Sequence, residues 1–128
     1  MSEMSNYLEN ALINHTLRNS ALSAPSAVYV SLHTANPDED ASGSELSGSA
    51  YARQAATFAA PSNGVSTTSG DINFPQATGS WGTVSHVGIW DASSSGNMLY
   101  YTALDASKAV ASGDVLKIAA GSLTVTLA

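Results

Sequence analysis

The apolar residues of the chain follow two different periods, and the period changes about a quarter of the way along. In the first part, Leu8 and Leu12 recur at the spacing of an amphipathic helix. Asn6 is a suitable N-cap, and Glu9 stands three residues later, where it can return the hydrogen bond of a capping box. Because asparagine tolerates the left-handed conformation that closes helices, we expect the helix to end near Asn19.

From Val28 onward, apolar and polar residues alternate with the period of two that is typical of a β-strand. Val30 and Leu32 point to one face and Ser31 and His33 to the other, so this strand is expected to be half-buried. Similar stretches, bounded by turn-forming residues, predict further strands at 53–58, 71–74, 83–90, 98–103, 114–118 and 123–127. The polar loop 91–97 predicts a hairpin, and the turn-forming segment 119–122 predicts a second reversal.

Short strands at this spacing predict an all-β fold, a jelly-roll-like antiparallel β-sandwich with one short N-terminal α-helix. A chain of 128 residues can bury one core. We therefore expect residues 1–24 to form the helix and its connector, and residues 25–128 to form a single β-sandwich domain. Residues 36–50 contain a proline, three consecutive acids and two glycines, and predict a long, exposed acidic loop.

The charge of the chain limits the classes of partner. Four Lys+Arg stand against ten Asp+Glu, which gives a net charge of -6, and charged residues make up 11% of the chain. So few cations cannot neutralise a row of phosphates, so we expect no nucleic-acid partner. No segment has the roughly 18 continuous apolar residues of a membrane span, so we expect no membrane partner. An uncharged Ser, Thr and Ala surface loses little desolvation energy when another protein covers it.

The residues that often carry chemistry form no recognisable site, so the sequence predicts no enzyme, no catalytic residues, no metal and no cofactor. His15, His33 and His86 lack the paired spacing of metal ligands, and no cysteine is present. Ser85 precedes His86 directly, but neighbours in a strand point to opposite faces, so we expect no catalytic pair there. The consecutive acids at 38–40 lack the alternate spacing of a calcium loop, and cation binding there is the less favoured alternative.

Several apolar, aromatic and acidic residues are candidates for contacts with other subunits. The apolar stripe of the helix is wider than a short helix needs, although ordinary core packing is the alternative. Tyr100 and Tyr101 are neighbours in a strand, so at least one is expected to be exposed. The candidate assembly contacts are Tyr7, Leu8, Leu12, Ile13, Asp38, Glu39, Asp40, Leu46, Trp81 and Tyr101.

Six segments together resemble a family of small virion proteins of tailed bacteriophages, the capsid decoration or cement proteins, which are often labelled tail fibre proteins. These segments, which run nearly end to end, are Ser5–Asn10, Val28–Thr34, Tyr51–Gln54, Ile72–Pro75, Trp81–Asp91 and Ala120–Val125. The resemblance implies a virion protein with a jelly-roll-like sandwich, made in the host cytoplasm, that assembles with itself as a dimer or trimer.

Two roles follow from this resemblance. The first hypothesis is capsid decoration, in which the protein binds the major capsid protein and stabilises the assembled shell by linkage. A compact domain of this size suits a clamp between capsid subunits. The alternative is a tail fibre or receptor-binding module that contacts tail proteins or a host-surface glycan through exposed aromatic residues.

Overall fold

A computed structural model of the protein describes residues 2–127. Its elements are β1 (Glu3–Met4), α1 (Asn6–Leu17), β2 (Val28–His33), β3 (Gln54–Ala56), β4 (Val65–Thr67), β5 (Ile72–Asn73), β6 (Gly82–Trp90), β7 (Met98–Val110), β8 (Lys117–Ile118) and β9 (Thr124–Thr126). Met1 and Ala128, which belong to the predicted segments 1–24 and 25–128, lie outside the described residues. In residues 2–127, no helix has the length and hydropathy needed to cross a bilayer.

The strands form one main sheet and two short ribbons. The main sheet is antiparallel, with the order β1-β7-β6-β2-β3, and the ribbons are β4-β9 and β5-β8. The predicted all-β class with one short N-terminal helix is confirmed. A jelly roll has eight strands in two sheets, whereas the second layer here consists of two separate ribbons.

The main core lies between one face of the main sheet and the ribbons. Val30, Leu32 and Val84 of the sheet are completely buried. They form one cluster with Ile72 of β5 and with Leu123, which directly precedes β9. The alternating pattern of β2 therefore identified the residues of this core correctly.

The second face of the main sheet is also covered, so the prediction of a half-buried β2 is wrong. Ser31 and His33 are as completely buried as the apolar residues between them. They are covered because residues 34–50, called the strap below, cross this face of the sheet. Ala41 of the strap packs against a cluster formed by Trp90, Met98 and Tyr101, which is a second, smaller core.

The strap corresponds to the predicted acidic loop, which is exposed in part. The acids at 38–40 are exposed as expected, but Pro37 is among the most deeply buried side chains. Glu45 pairs with His33 in an isolated β-bridge, and the Leu46 amide donates to the Leu32 carbonyl at 3.0 Å. The strap is thus hydrogen-bonded to the edge of β2 that β3 leaves free.

Gly88 of β6 makes room for the polar residues under the strap. A Cβ atom at this position would lie 2.7 Å from Ser31 Oγ, 3.0 Å from Trp90 Nε1 and 3.2 Å from His33 Nε2. These distances are shorter than or at the limit of van der Waals contact. Only the absence of a side chain at Gly88 therefore allows Ser31, His33 and Trp90 to meet over β6.

The helix begins at Asn6, the residue predicted as its cap, and the cap lies one residue earlier. Ser5, in an extended conformation, is the N-cap, and its hydroxyl accepts a hydrogen bond from the Leu8 amide at 3.2 Å. The same hydroxyl donates to the Met98 carbonyl, and the Ser5 amide donates to Leu99 O at 2.9 Å. Ser5 replaces Asn6 as the cap because it also joins the helix to β7. The predicted left-handed residue, Asn19, has φ 54 and follows the end of the helix.

The strand predictions hold in position, with three differences. The two-residue strand β1, which pairs with β7, was not predicted. Strand β4 was not predicted, because Val65 is its sole apolar residue of size and its pairing with β9 is what makes it a strand. Strand β7 continues to Val110, beyond the predicted end at 103. Its pairing with β6 shifts between Val84 and His86, where residues 104–107 bulge outward. The predicted hairpin at 91–97 joins β6 and β7, and the turn at 119–122 is also present.

Ser5→Ala should lower the free energy of unfolding by about 1 to 2 kcal/mol, because it removes the helix cap and leaves the buried Met98 carbonyl without its donor. Urea denaturation checks this. Ser20→Ala, at an exposed position beyond the helix, is the control and should change stability by less than about 0.5 kcal/mol. Equal effects of the two substitutions would contradict the role of Ser5.

Candidate functional site

The predicted assembly contacts divide into exposed and buried groups. On α1, Tyr7 is 42% and Ile13 53% exposed, while Leu12 is half-buried. Leu17, one turn after Ile13 on the same side of the helix, is 78% exposed. This side of α1 is therefore an apolar surface that no other part of residues 2–127 covers.

Three candidates lie inside the protomer, which corrects their placement on the surface. Leu8 holds α1 against the sheet, and Tyr101 belongs to the cluster under the strap. The indole N–H of Trp81 donates to the Ser49 carbonyl at 2.9 Å, and its ring meets Tyr51 edge-on at 5.7 Å between centroids. These residues are covered because both faces of the main sheet are packed. Leu46 is half-buried against the main core.

The neighbour of Tyr101 is also covered. Tyr100 points to the opposite face, as the alternation required, but it packs against the main core. The expectation that one of the two tyrosines is exposed is therefore wrong. Neither Trp81 nor Tyr101 offers the open ring face that sugar stacking needs.

The acidic candidates meet two further acids from the N-terminal segment. Asp38, Glu39 and Asp40 line a groove of about 770 Å³ together with Glu3 and Glu9. Burial raises the pKa of the Tyr101 hydroxyl at the floor of this groove, and its hydrogen bond to the Glu3 carboxylate raises the pKa further. Within residues 2–127, no group of three or more His, Asp or Glu side chains is placed to hold a metal ion.

Beneath the strap, an ion pair joins the strap to the segment that leads into β3. Both Nε and one terminal nitrogen of Arg53 donate to Glu45, each at 2.8 Å, in a bidentate contact. The Tyr51 hydroxyl donates to the same carboxylate at 2.7 Å and accepts from the Leu32 amide at 3.1 Å. Burial alone would raise the pKa of Glu45, but the hydrogen bonds from Arg53 and Tyr51 outweigh it and lower that pKa.

The same arginine fixes the loop between β6 and β7. The other terminal nitrogen of Arg53 donates to the carbonyls of Ala92 and Ser95, at 3.0 and 2.8 Å. Its guanidinium carbon lies 3.7 Å from the centre of the Trp90 ring, which is the geometry of a cation–π contact. One side chain therefore connects the strap, the hairpin loop and the sheet.

Trp90 continues this network to a buried histidine. Its indole N–H donates to Ser31 Oγ at 2.7 Å, and Ser31 Oγ lies 2.7 Å from His33 Nε2. Burial is the main cause that lowers the pKa of His33 to about 4, against the partial opposing effect of Glu45. His33 is therefore neutral at pH 7, and its Nδ1 atom has no hydrogen-bond partner.

The two adjacent residues Ser85 and His86 do interact, contrary to the expectation from strand alternation. Ser85 Oγ lies 2.8 Å from His86 Nδ1. The reason is the bulge in the β6–β7 pairing next to Ser85, which disturbs the regular alternation of side chains. The contact joins two sequence neighbours.

A comparison with known families matches residues 3–126 to the family described as Podophage GP4 fiber I protein gp80. The chain belongs to this family. No curated protein matches the sequence. The match covers nearly the whole chain, so the predicted resemblance to phage virion structural proteins is confirmed. Membership in such a family indicates a structural role in the virion.

Sequence reasoning missed two residues of this family member that matter for its surfaces. Leu17 is not among the predicted assembly contacts, and its position in the last turn of the helix, before Asn19, was the available signal. Arg53 has its partner Glu45 eight residues away across an irregular loop. No periodic pattern links two such positions.

Arg53→Met should lower the free energy of unfolding by roughly 3 kcal/mol, because it leaves the Glu45 carboxylate partly buried without its cation. Lys117→Met is the matched control, since it removes an exposed ion pair with Asp71 and should cost less than about 1 kcal/mol. Urea denaturation at pH 7 measures both. A cost for Arg53→Met no larger than that of the control would contradict the central role of this pair.

Proposed function

We propose that this protein is a subunit of a short virion fibre that works by docking to other subunits and carries out no reaction. The observation that carries the proposal is the family match over residues 3–126, whose description names a fibre protein. The uncovered apolar side of α1 supports it, because Ile13 and Leu17 are exposed while both faces of the main sheet are packed. This arrangement leaves the side of α1 that carries Ile13 and Leu17 as an apolar surface available for assembly.

The acidic groove favours a partner with a basic surface. Five carboxylates line it, and a second copy of a chain with net charge -6 offers few cations to face them. Arg53 is committed to Glu45, and Lys117 pairs with Asp71. We therefore propose that α1 mediates contact between copies, as a dimer or trimer, and that the groove faces a basic surface of another tail protein.

Capsid decoration is the second candidate. It is favoured because the sequence contains no repeat of the kind that builds long fibres. In this role the same α1 surface and acidic groove bind the major capsid protein. A host-surface glycan is the least supported partner, because Trp81 and Tyr101 are buried.

The double variant Ile13→Ser/Leu17→Ser should weaken self-association by roughly a hundredfold, since covering two aliphatic side chains contributes about 3 kcal/mol. Light scattering across a dilution series measures the mass. The free energy of unfolding should change little, because both side chains are exposed in the protomer. Val115→Ser, at another exposed apolar residue, is the control and should keep the wild-type mass. An unchanged mass for the double variant would exclude α1 as the contact between copies.

The copy number and position of the protein in purified virions decide between the two roles. A fibre subunit is expected at a small fraction of the number of major capsid copies, with antibody label at the tail. Quantitative mass spectrometry and electron microscopy of labelled particles measure these quantities. A number of copies similar to that of the major capsid protein, with label over the shell, would overturn the fibre role in favour of decoration. Absence from particles would overturn both.

A further inference from the structure

A buried neutral histidine lies directly under the strap. His33 is completely buried, and its Nε2 atom meets Ser31 Oγ, which also receives the Trp90 indole N–H. A neutral imidazole fits this position. A protonated ring carries N–H groups on both nitrogens. Nδ1 has no hydrogen-bond partner in this arrangement, and the backbone of Gly43 only partly favours the protonated form, so protonation would place a poorly compensated charge in a buried site.

The strap above this histidine holds several residues in a strained conformation. Asp38, Ala41, Ser49 and Ala50 have φ between 51 and 70, in the left-handed region that side chains other than glycine disfavour. Such residues persist where surrounding contacts hold them, and they are frequent in segments that switch between conformations. Loss of the contacts under the strap would therefore release this strain.

The contacts that hold the strap are adjacent to His33. The Thr34 amide donates to the Ser44 carbonyl at 3.0 Å, and the Leu46 amide donates to the Leu32 carbonyl at 3.0 Å. Glu45, between these two bonds, is bridged to His33 through the backbone. These contacts hold the strap at the residues directly before and after His33.

We propose that the strap is an acid-responsive element, which separates from β2 when His33 takes up a proton and so uncovers the cluster of Trp90, Met98 and Tyr101. The pairing of β6 with β7 is retained in the open form. This inference concerns the protomer and does not depend on whether the protein is part of a fibre or of the shell.

The charged groups around His33 set the pH range of this opening. Glu45 favours the protonated ring, whereas Arg53 and His86 oppose it, and burial is the largest effect, which brings the pKa of His33 from 6.5 to about 4. Because the open form binds the proton more readily, the stability of the closed strap is complete above pH 6.5 and falls as the pH drops towards 4. Glu45 has a lowered pKa and adds its own loss below its ordinary value of 4.5.

Hydrogen exchange at several pH values tests the proposal. Protection factors of the Thr34 and Leu46 amides, corrected for intrinsic exchange, should fall by about tenfold per pH unit between pH 6 and 4.5, since opening takes up one proton. Amides between β6 and β7 open only with the whole domain, which also frees His33, so their protection should remain well above that of the strap amides at every pH in this range. In His33→Gln, which keeps a side-chain amide for Ser31 but cannot take up a proton, strap protection should not depend on pH. His15→Gln, at an exposed residue of α1, is the control and should behave as wild type.

Three results would overturn the proposal. Strap protection in the wild type that is constant from pH 7 to 4.5 excludes the response to acid. Equal protection factors for the strap amides and the β6–β7 amides at each pH indicate unfolding of the whole domain, and this comparison needs no variant should His33→Gln fail to fold. An unchanged pH dependence in folded His33→Gln assigns the response to another group.

Discussion

The arrangement of this protein depends on the contact of Arg53 with Glu45 and with the Trp90 ring. A β-sheet needs a cover for each apolar face, and the two ribbons supply one cover here. The other cover is an irregular strap with few large apolar residues, which cannot be held by hydrophobic packing alone. A bidentate ion pair, shielded from water and stacked on an indole, supplies the attachment that packing lacks.

Because Arg53 is used in this interior contact, fewer basic side chains remain for the surface. Of the four basic residues, Arg53 is consumed in the interior and Lys117 is paired with Asp71. The carboxylates of the strap and of the N-terminal segment therefore meet in one groove without a basic side chain among the residues that line it. The groove includes Glu3 and Glu9 of the N-terminal segment, which also carries the exposed side of α1.

The polar network under the strap also explains how polar residues can lie on the covered second face of the sheet. Ser31 accepts from Trp90 and contacts His33, and Gly88 leaves the space in which the three meet. Such a network fixes one arrangement of the strap but tolerates poorly any change in protonation. A virion protein must be stable once assembled. A cover that is held by polar contacts is the part of the fold whose stability depends most on protonation.

The sequence by itself determined the all-β class, the N-terminal helix, the positions of most strands and the family. These follow from local periodicity, turn residues and short motifs, all of which are readable along the chain. The tertiary structure decided which faces are covered. Alternation identifies two faces of β2 but does not state that a distant loop packs on the second, so Ser31, His33, Trp81 and Tyr101 were placed wrongly or left undecided. The Glu45–Arg53 pair and the short strand β4 depend in the same way on partners that the chain brings together only on folding.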